Sequence, residues 1–125
     1  MRKFIKTNNA PKAIGTYSQG TIYNGLVYTS GQICLNPQTG ELVNDSFKIE
    51  VRQVLDNLKG VLSAGGSGLD KILKLTVFIT DLSLFSELNE VFCEYFPENP
   101  PARSAVEVSA LPMNIRVEIE AIGII

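Results

Sequence analysis

Two stretches of this chain, Ile72–Thr80 and Arg116–Ile122, constrain the fold more than any other feature. Both are rich in β-branched and apolar residues, and both alternate with the two-residue period of a strand. Leu73, Leu75, Val77 and Ile79 take one side of the first stretch. Ile115, Val117, Ile119 and Ala121 take one side of the second. The opposite sides still carry Ile72, Phe78, Ile122 and Ile124. A sheet containing such strands is apolar on both faces. The chain holds only two helical patterns, and one layer of helices covers one face. The other face calls for a further copy of the chain.

The remaining elements follow from local signals. Lys3–Thr7 reads as a short edge strand. Thr21–Tyr23 and Leu26–Ser30 flank Asn24-Gly25, a strong signal for a two-residue hairpin. Asp45 or Ser46 is a suitable N-cap for a helix carrying Phe47, Val51, Val54, Leu55, Leu58, Val61 and Leu62 on one face. Lys48, Arg52, Asp56 and Lys59 fall on its polar side, and Gly65-Gly66 ends it. A second helix begins near Ser83 as cap and presents Phe85, Leu88, Phe92, Tyr95 and Phe96. Pro97, Pro100 and Pro101 close it. Arg103–Val108 is a further strand. The order is β-β-β-α-β-α-β-β, an α+β fold with a mixed sheet and both helices on one face. The 125 residues form a single domain, 1–125.

Composition narrows the function. There is no histidine, the commonest general base and metal ligand. Net charge is −2, and the four arginines are widely spaced. No basic stripe of the kind that nucleic acid demands is present. Cys34 and Cys93 form no CxxC and have no histidine to activate them, which predicts two reduced core or near-core thiols. The N-terminus lacks the apolar region of a signal peptide, and no run is long enough to span a bilayer. The expectation is a cytoplasmic protein with no cofactor and no metal.

Chemistry must then come from Arg, carboxylates, Tyr, Ser, Asn and backbone groups. Arg103 follows Pro100-Pro101-Ala102 at the head of a strand. Its planar fork suits a small carboxylate; a surface ion pair is the equally plain alternative. Arg116, Glu118 and Glu120 share one strand face by spacing, and the two glutamates lie roughly 7 Å apart. Either glutamate could orient water, or the pair could simply face solvent. Tyr17 lies in the glycine-flanked loop Gly15–Gly20. Ser30-Gly31 lets backbone approach a ligand, because glycine has no Cβ. Asn89 lies on the second helix and could hold a ligand or only its neighbours.

Taken together, several segments resemble the RidA family (also called YjgF). They are Asn9–Gly20, Thr29–Ile33, Thr76–Ile79, Asn89 before Val-Phe, Pro101–Val108 and Val117–Ile122, in the family's order. The resemblance implies a chorismate-mutase-like fold and a homotrimer with sites in the clefts between subunits. It also implies a cofactor-independent deaminase that hydrolyses 2-iminopropanoate and 2-iminobutanoate to 2-keto acids and ammonia. By motif, Arg103 matches the carboxylate-binding arginine and Glu118 the water-orienting glutamate. Tyr17, Ser30, Gly31, Asn89 and Ala105 match pocket positions. Two positions depart from the pattern: Ala105 stands where the family often has Cys, and Thr16 where it usually has Pro. The alternatives are a non-catalytic small-carboxylate-binding regulator of the same fold, a chorismate mutase, whose dianionic substrate would want a second cation beside Arg103 with only Arg116 on offer, and an endoribonuclease or translation inhibitor. The acidic charge balance argues against the last.

Overall fold

The computed structural model covers Met1–Ile125. Its elements are β1 (Lys3–Ile5), β2 (Gly20–Tyr23), β3 (Leu26–Thr29), α1 (Phe47–Ala64), β4 (Ile72–Ile79), α2 (Phe85–Tyr95), β5 (Ala102–Glu107) and β6 (Val117–Ile124). They follow the order read from the sequence. The six strands form one sheet in the order β1-β2-β3-β6-β4-β5. Every pairing is antiparallel except β4 with β5, which are parallel and joined through α2.

Local chemistry accounts for most boundaries. Asn24 and Gly25 both take positive φ, 50° and 75°, which is the turn that matches the twist of two antiparallel strands. Ser46 caps α1, its Oγ accepting the Ile49 N–H at 3.2 Å. Gly66 leaves the helix with φ of 86°. On α1, Val51, Val54, Leu55, Leu58, Val61 and Leu62 are fully buried against the sheet. Truncating Leu55 or Leu58 to alanine there costs about 2–5 kcal/mol. Gly60 is required at its position: a Cβ would overlap the Asn9 carbonyl of the N-terminal loop.

Three expectations need correction. The alternation puts Leu73 with Leu75, Val77 and Ile79 on one side, yet Leu73 is exposed and Ile72 is buried. The β4–β6 register shifts between Ile72 and Lys74, and that bulge moves Leu73 out of the alternation. Ser83 is not the cap of the second helix. Asp81 caps a short 3-10 turn, Leu82–Leu84, by accepting the Ser83 N–H at 2.9 Å, and α2 continues from that turn without a side-chain cap. Cys93 is exposed, whereas Cys34 is buried as expected; both are free thiols.

Residues paired across the strands share a face. Leu75, Val77, Ile79, Val117, Ile119 and Ala121 point toward the helices and are buried. Thr76, Phe78, Val106, Glu118, Glu120, Ile122 and Tyr28 point to the opposite side, where Val106 and Tyr28 are exposed and no helix lies. One layer of helices thus serves one face, as the alternation required. No helix is long and apolar enough to cross a membrane.

Candidate functional site

Glu118 sits on the helix-free face of β6, opposite Phe78 of β4. The chain segment after β3 comes to meet it. Gln32 and Ile119 exchange both backbone hydrogen bonds, at 2.8 and 3.1 Å, which draws residues 30–32 alongside β6. The Glu118 carboxylate then lies against the Cα of Gly31, where any Cβ would overlap Oε2. Here glycine is needed for space. Ser30 is held from both ends, its N–H donating to the Gln19 carbonyl at 2.9 Å and its Oγ to the Ser18 carbonyl at 2.5 Å. The Gln32 amide donates to the Ser30 carbonyl at 3.2 Å. Tyr17 completes one side of the cleft, its Oη accepting the Ile14 N–H at 3.2 Å.

The cleft has a volume of about 560 Å3. Burial raises the Glu118 pKa above the ordinary carboxylate range, and the charge of Glu120, two residues along the same face, raises it further. No protein hydrogen-bond donor reaches the Glu118 carboxylate within hydrogen-bond distance, so its oxygens face the cleft.

Arg103 lies elsewhere. It pairs with Leu75 across the parallel β4–β5 ladder, so it faces the helix side of the sheet. Its guanidinium stands over the rings of Phe85 and Phe92, 5.0 and 5.3 Å from the centroids, and donates to Asn89 Oδ1 at 2.8 Å. All three partners come from α2, spaced so that they share one helical face. Two aromatic faces and one amide hold the fork in place and leave other N–H groups available. The cleft in front of it, about 450 Å3, is also lined by Cys93 and Pro101. Ala105 follows two residues later on the same face, paired with Val77.

The chain therefore assembles the predicted residues into two groups. Tyr17, Ser30, Gly31 and Glu118 form one cleft; Asn89 and Arg103 form another. Arg103 and Glu118 occupy opposite faces of the sheet with β4 between them. Arg116, expected beside Glu118 and Glu120, turns away. Its Nε donates to Glu50 Oε1 at 2.7 Å and its Nη2 to the Asn44 carbonyl at 3.0 Å, with the guanidinium over Phe47. It precedes β6, where strand alternation no longer dictates side-chain direction.

Four buried polar residues escaped the sequence reading: Gln19, Gln32, Glu50 and Asn57. Gln19 accepts the Thr7 N–H and donates to the carbonyls of Thr7, Ala10 and Pro11, pinning the N-terminal loop beneath Tyr17. Glu50 is 0% exposed and accepts the backbone N–H groups of Arg116 and Val117 as well as the Arg116 side chain. Asn57 donates to the carbonyls of Ile33 and Leu35, fixing the strip that leads out of the Glu118 cleft. For Glu50 and Asn57 the local signal was a polar residue on an otherwise apolar helix face; Gln19 and Gln32 lie outside the helices.

A family model described as Endoribonuclease L-PSP matches residues 7–125. With that match and the relatives below, the assignment is clear. The chain belongs to the RidA family. It is 48% identical over 123 residues to a RutC family protein of Pyrococcus horikoshii, covering 98% of each chain. It is 43% identical over 124 residues to the 2-iminobutanoate/2-iminopropanoate deaminase of Rattus norvegicus, covering 99% of this chain and 90% of that one. Among solved RidA-family structures, that of RidA from the Antarctic bacterium Psychrobacter sp. PAMC 21119 superposes with a TM-score of 0.94 at 46% identity, covering 98% of this chain and 99% of that one. The structure of E. coli TdcF with bound serine superposes equally well, TM-score 0.94 at 43% identity, covering 98% of each chain.

Proposed function

We propose that this protein hydrolyses 2-iminopropanoate, 2-iminobutanoate and related 2-imino acids to 2-keto acids and ammonia, without a cofactor. The observation that carries this reading is Glu118. Its carboxylate is packed on Gly31, held by no protein donor, and has its pKa raised by burial. That is how a general base is brought nearer to its working pH. One RidA-family relative, from Rattus norvegicus, carries an imine-deaminase name that agrees with it.

Arg103 supplies the carboxylate clamp. Because it and Glu118 lie on opposite faces of one sheet, one chain cannot bring them to one substrate. A homotrimer in which the β5 edge of one copy, where Arg103 lies, meets the helix-free face of the next would join the Arg103 group of one copy to the Glu118 group of the other. The exposed Val106 and Tyr28 on that face support such packing.

The reaction is then short. Arg103 binds the substrate carboxylate through its fork, while Asn89 and the two phenylalanine rings keep the fork oriented. The substrate C=N is protonated and electrophilic. Glu118 takes a proton from a water as its oxygen bonds to C2. The resulting carbinolamine receives that proton on nitrogen. The C–N bond breaks, ammonia leaves, and the hydroxyl collapses to the ketone. Water supplies the oxygen, and the released ammonia takes up the proton. Tyr17 and Ser30 shape the pocket wall.

The deciding experiment adds the protein to a threonine or serine dehydratase reaction and follows 2-keto acid release. Faster keto-acid formation than the spontaneous rate is the expected result. Light scattering after size exclusion should give about three chains' mass, and a monomer at micromolar concentration would remove the shared site.

A further inference from the structure

Beyond the charged groups, the Glu118 cleft has an apolar rim that the proposed reaction does not use. Ile14 and Met113 both line it, and they are 79% and 60% exposed. Most large aliphatic side chains of this protein are buried or half-buried, so two bare ones on one small cleft stand out. Ile33 and Leu35 extend the same lining inward.

Met113 is placed there at a conformational cost. It takes φ of 57°, and Asn114 follows at 58°, two successive non-glycine residues in the left-handed region. The turn that imposes this is over-determined. Pro112 enters it, the Asn114 and Ile115 N–H groups donate back to the Leu111 and Pro112 carbonyls, and Ile115 is anchored in the core. Strain that persists because its surroundings enforce it points to a position that matters. The result is a flexible thioether side chain held over the mouth of the cleft. Methionine adapts readily to irregular apolar ligands.

Resting on the imine-hydrolysis reading, we infer that Met113 and Ile14 bind the hydrocarbon side chain of the substrate, so that the enzyme prefers 2-imino acids with longer alkyl chains. Each further methylene that reaches the rim is removed from water, worth about fourfold in binding. These two residues therefore determine specificity; Glu118 and Arg103 act on every substrate alike.

The test uses imines generated in place from alanine, 2-aminobutanoate, norvaline and norleucine by an amino-acid oxidase, with kcat/KM measured for each. Calorimetric titration of the matching 2-keto acids gives a readout independent of turnover. Wild-type kcat/KM and keto-acid affinity should climb about fourfold per methylene along the series. Met113→Asp and Ile14→Asp should each lower the ratio of longest to shortest substrate tenfold or more, while Met113→Leu preserves it. A flat wild-type series in an active enzyme overturns this inference and leaves the deaminase reading standing. So does an unchanged ratio in both aspartate variants, or a change in their oligomeric mass, which would assign the rim to contacts between copies. Absence of both imine hydrolysis and keto-acid binding overturns the deaminase reading and this inference with it.

Discussion

The Arg103 cleft and the Glu118 cleft are built by different means. Side chains make the first: one amide and two rings from a single helix face hold a guanidinium that remains exposed. Backbone makes the second: a bridge between Gln32 and Ile119 presses Gly31 onto a half-buried carboxylate. The first presents a planar fork on an exposed side chain, a shape that suits a carboxylate. The second is crowded, and its charge is penalised. The contrast teaches a division of labour. Capture of a carboxylate asks for reach and permanent charge. Handling a proton asks for a group whose surroundings disfavour its charged form.

The sharpest way to break this comparison is Glu118→Gln. It keeps shape and removes the base, so kcat should fall by about 10²–10⁴-fold, while keto-acid affinity changes little. Glu120→Gln should be mild by comparison, because Glu120 is exposed. A silent Glu118→Gln would move the base role elsewhere or leave a protein that binds without turning over. Next in size is Arg103→Lys. A point charge cannot keep both the Asn89 bond and a forked grip, and kcat/KM should fall about ten- to a hundredfold in a folded protein. Wild-type kinetics for that variant would falsify the clamp.

Gly31→Ala tests the crowding directly. The new Cβ overlaps the carboxylate, so Glu118 must shift, and kcat should drop by about tenfold with Tm changed only modestly. Equal losses in kcat and in keto-acid affinity would show that Gly31 serves binding and not the base. The smallest effect is on stability. Folding raises the Glu118 pKa, so the folded state holds that proton more tightly than the unfolded chain does. Stability from this group is full below the ordinary carboxylate pKa and is lost as pH rises through the raised value. Glu118→Gln should therefore melt above wild type at pH 7, with the gap closing toward pH 4. A Tm difference that does not vary with pH would deny the strain on the carboxylate.

Element order and helix faces were legible because they rest on local rules. The Asn24-Gly25 turn, the Ser46 cap and the apolar stripe of α1 need no distant partner. What escaped depends on contacts far along the chain. Glu50 is polar on an apolar face because Arg116 and Val117, 66 and 67 residues later, bring it three hydrogen bonds. Leu73 was misplaced because a bulge is one extra residue in the ladder, invisible to a two-residue alternation. The site residues were legible as types and positions. That Arg103 and Glu118 face away from each other was not, since it follows from strand order across β4.

That strand order also bears on how the molecule comes into being. β6 follows every other element in the chain, yet it lies in the interior of the sheet, between β3 and β4. Until residues 117–124 arrive, β3 and β4 have no common neighbour, and the sheet exists as two unconnected pieces. Closing it demands pairings of long sequence separation, Leu26 with Ile124 among them. Such topologies fold slowly, because loop entropy is lost before the contacts return anything. The half-made pieces expose bare strand edges in the meantime. The carboxylate of Glu118 rides on that strand, so the cleft forms only where those long-range pairings have formed.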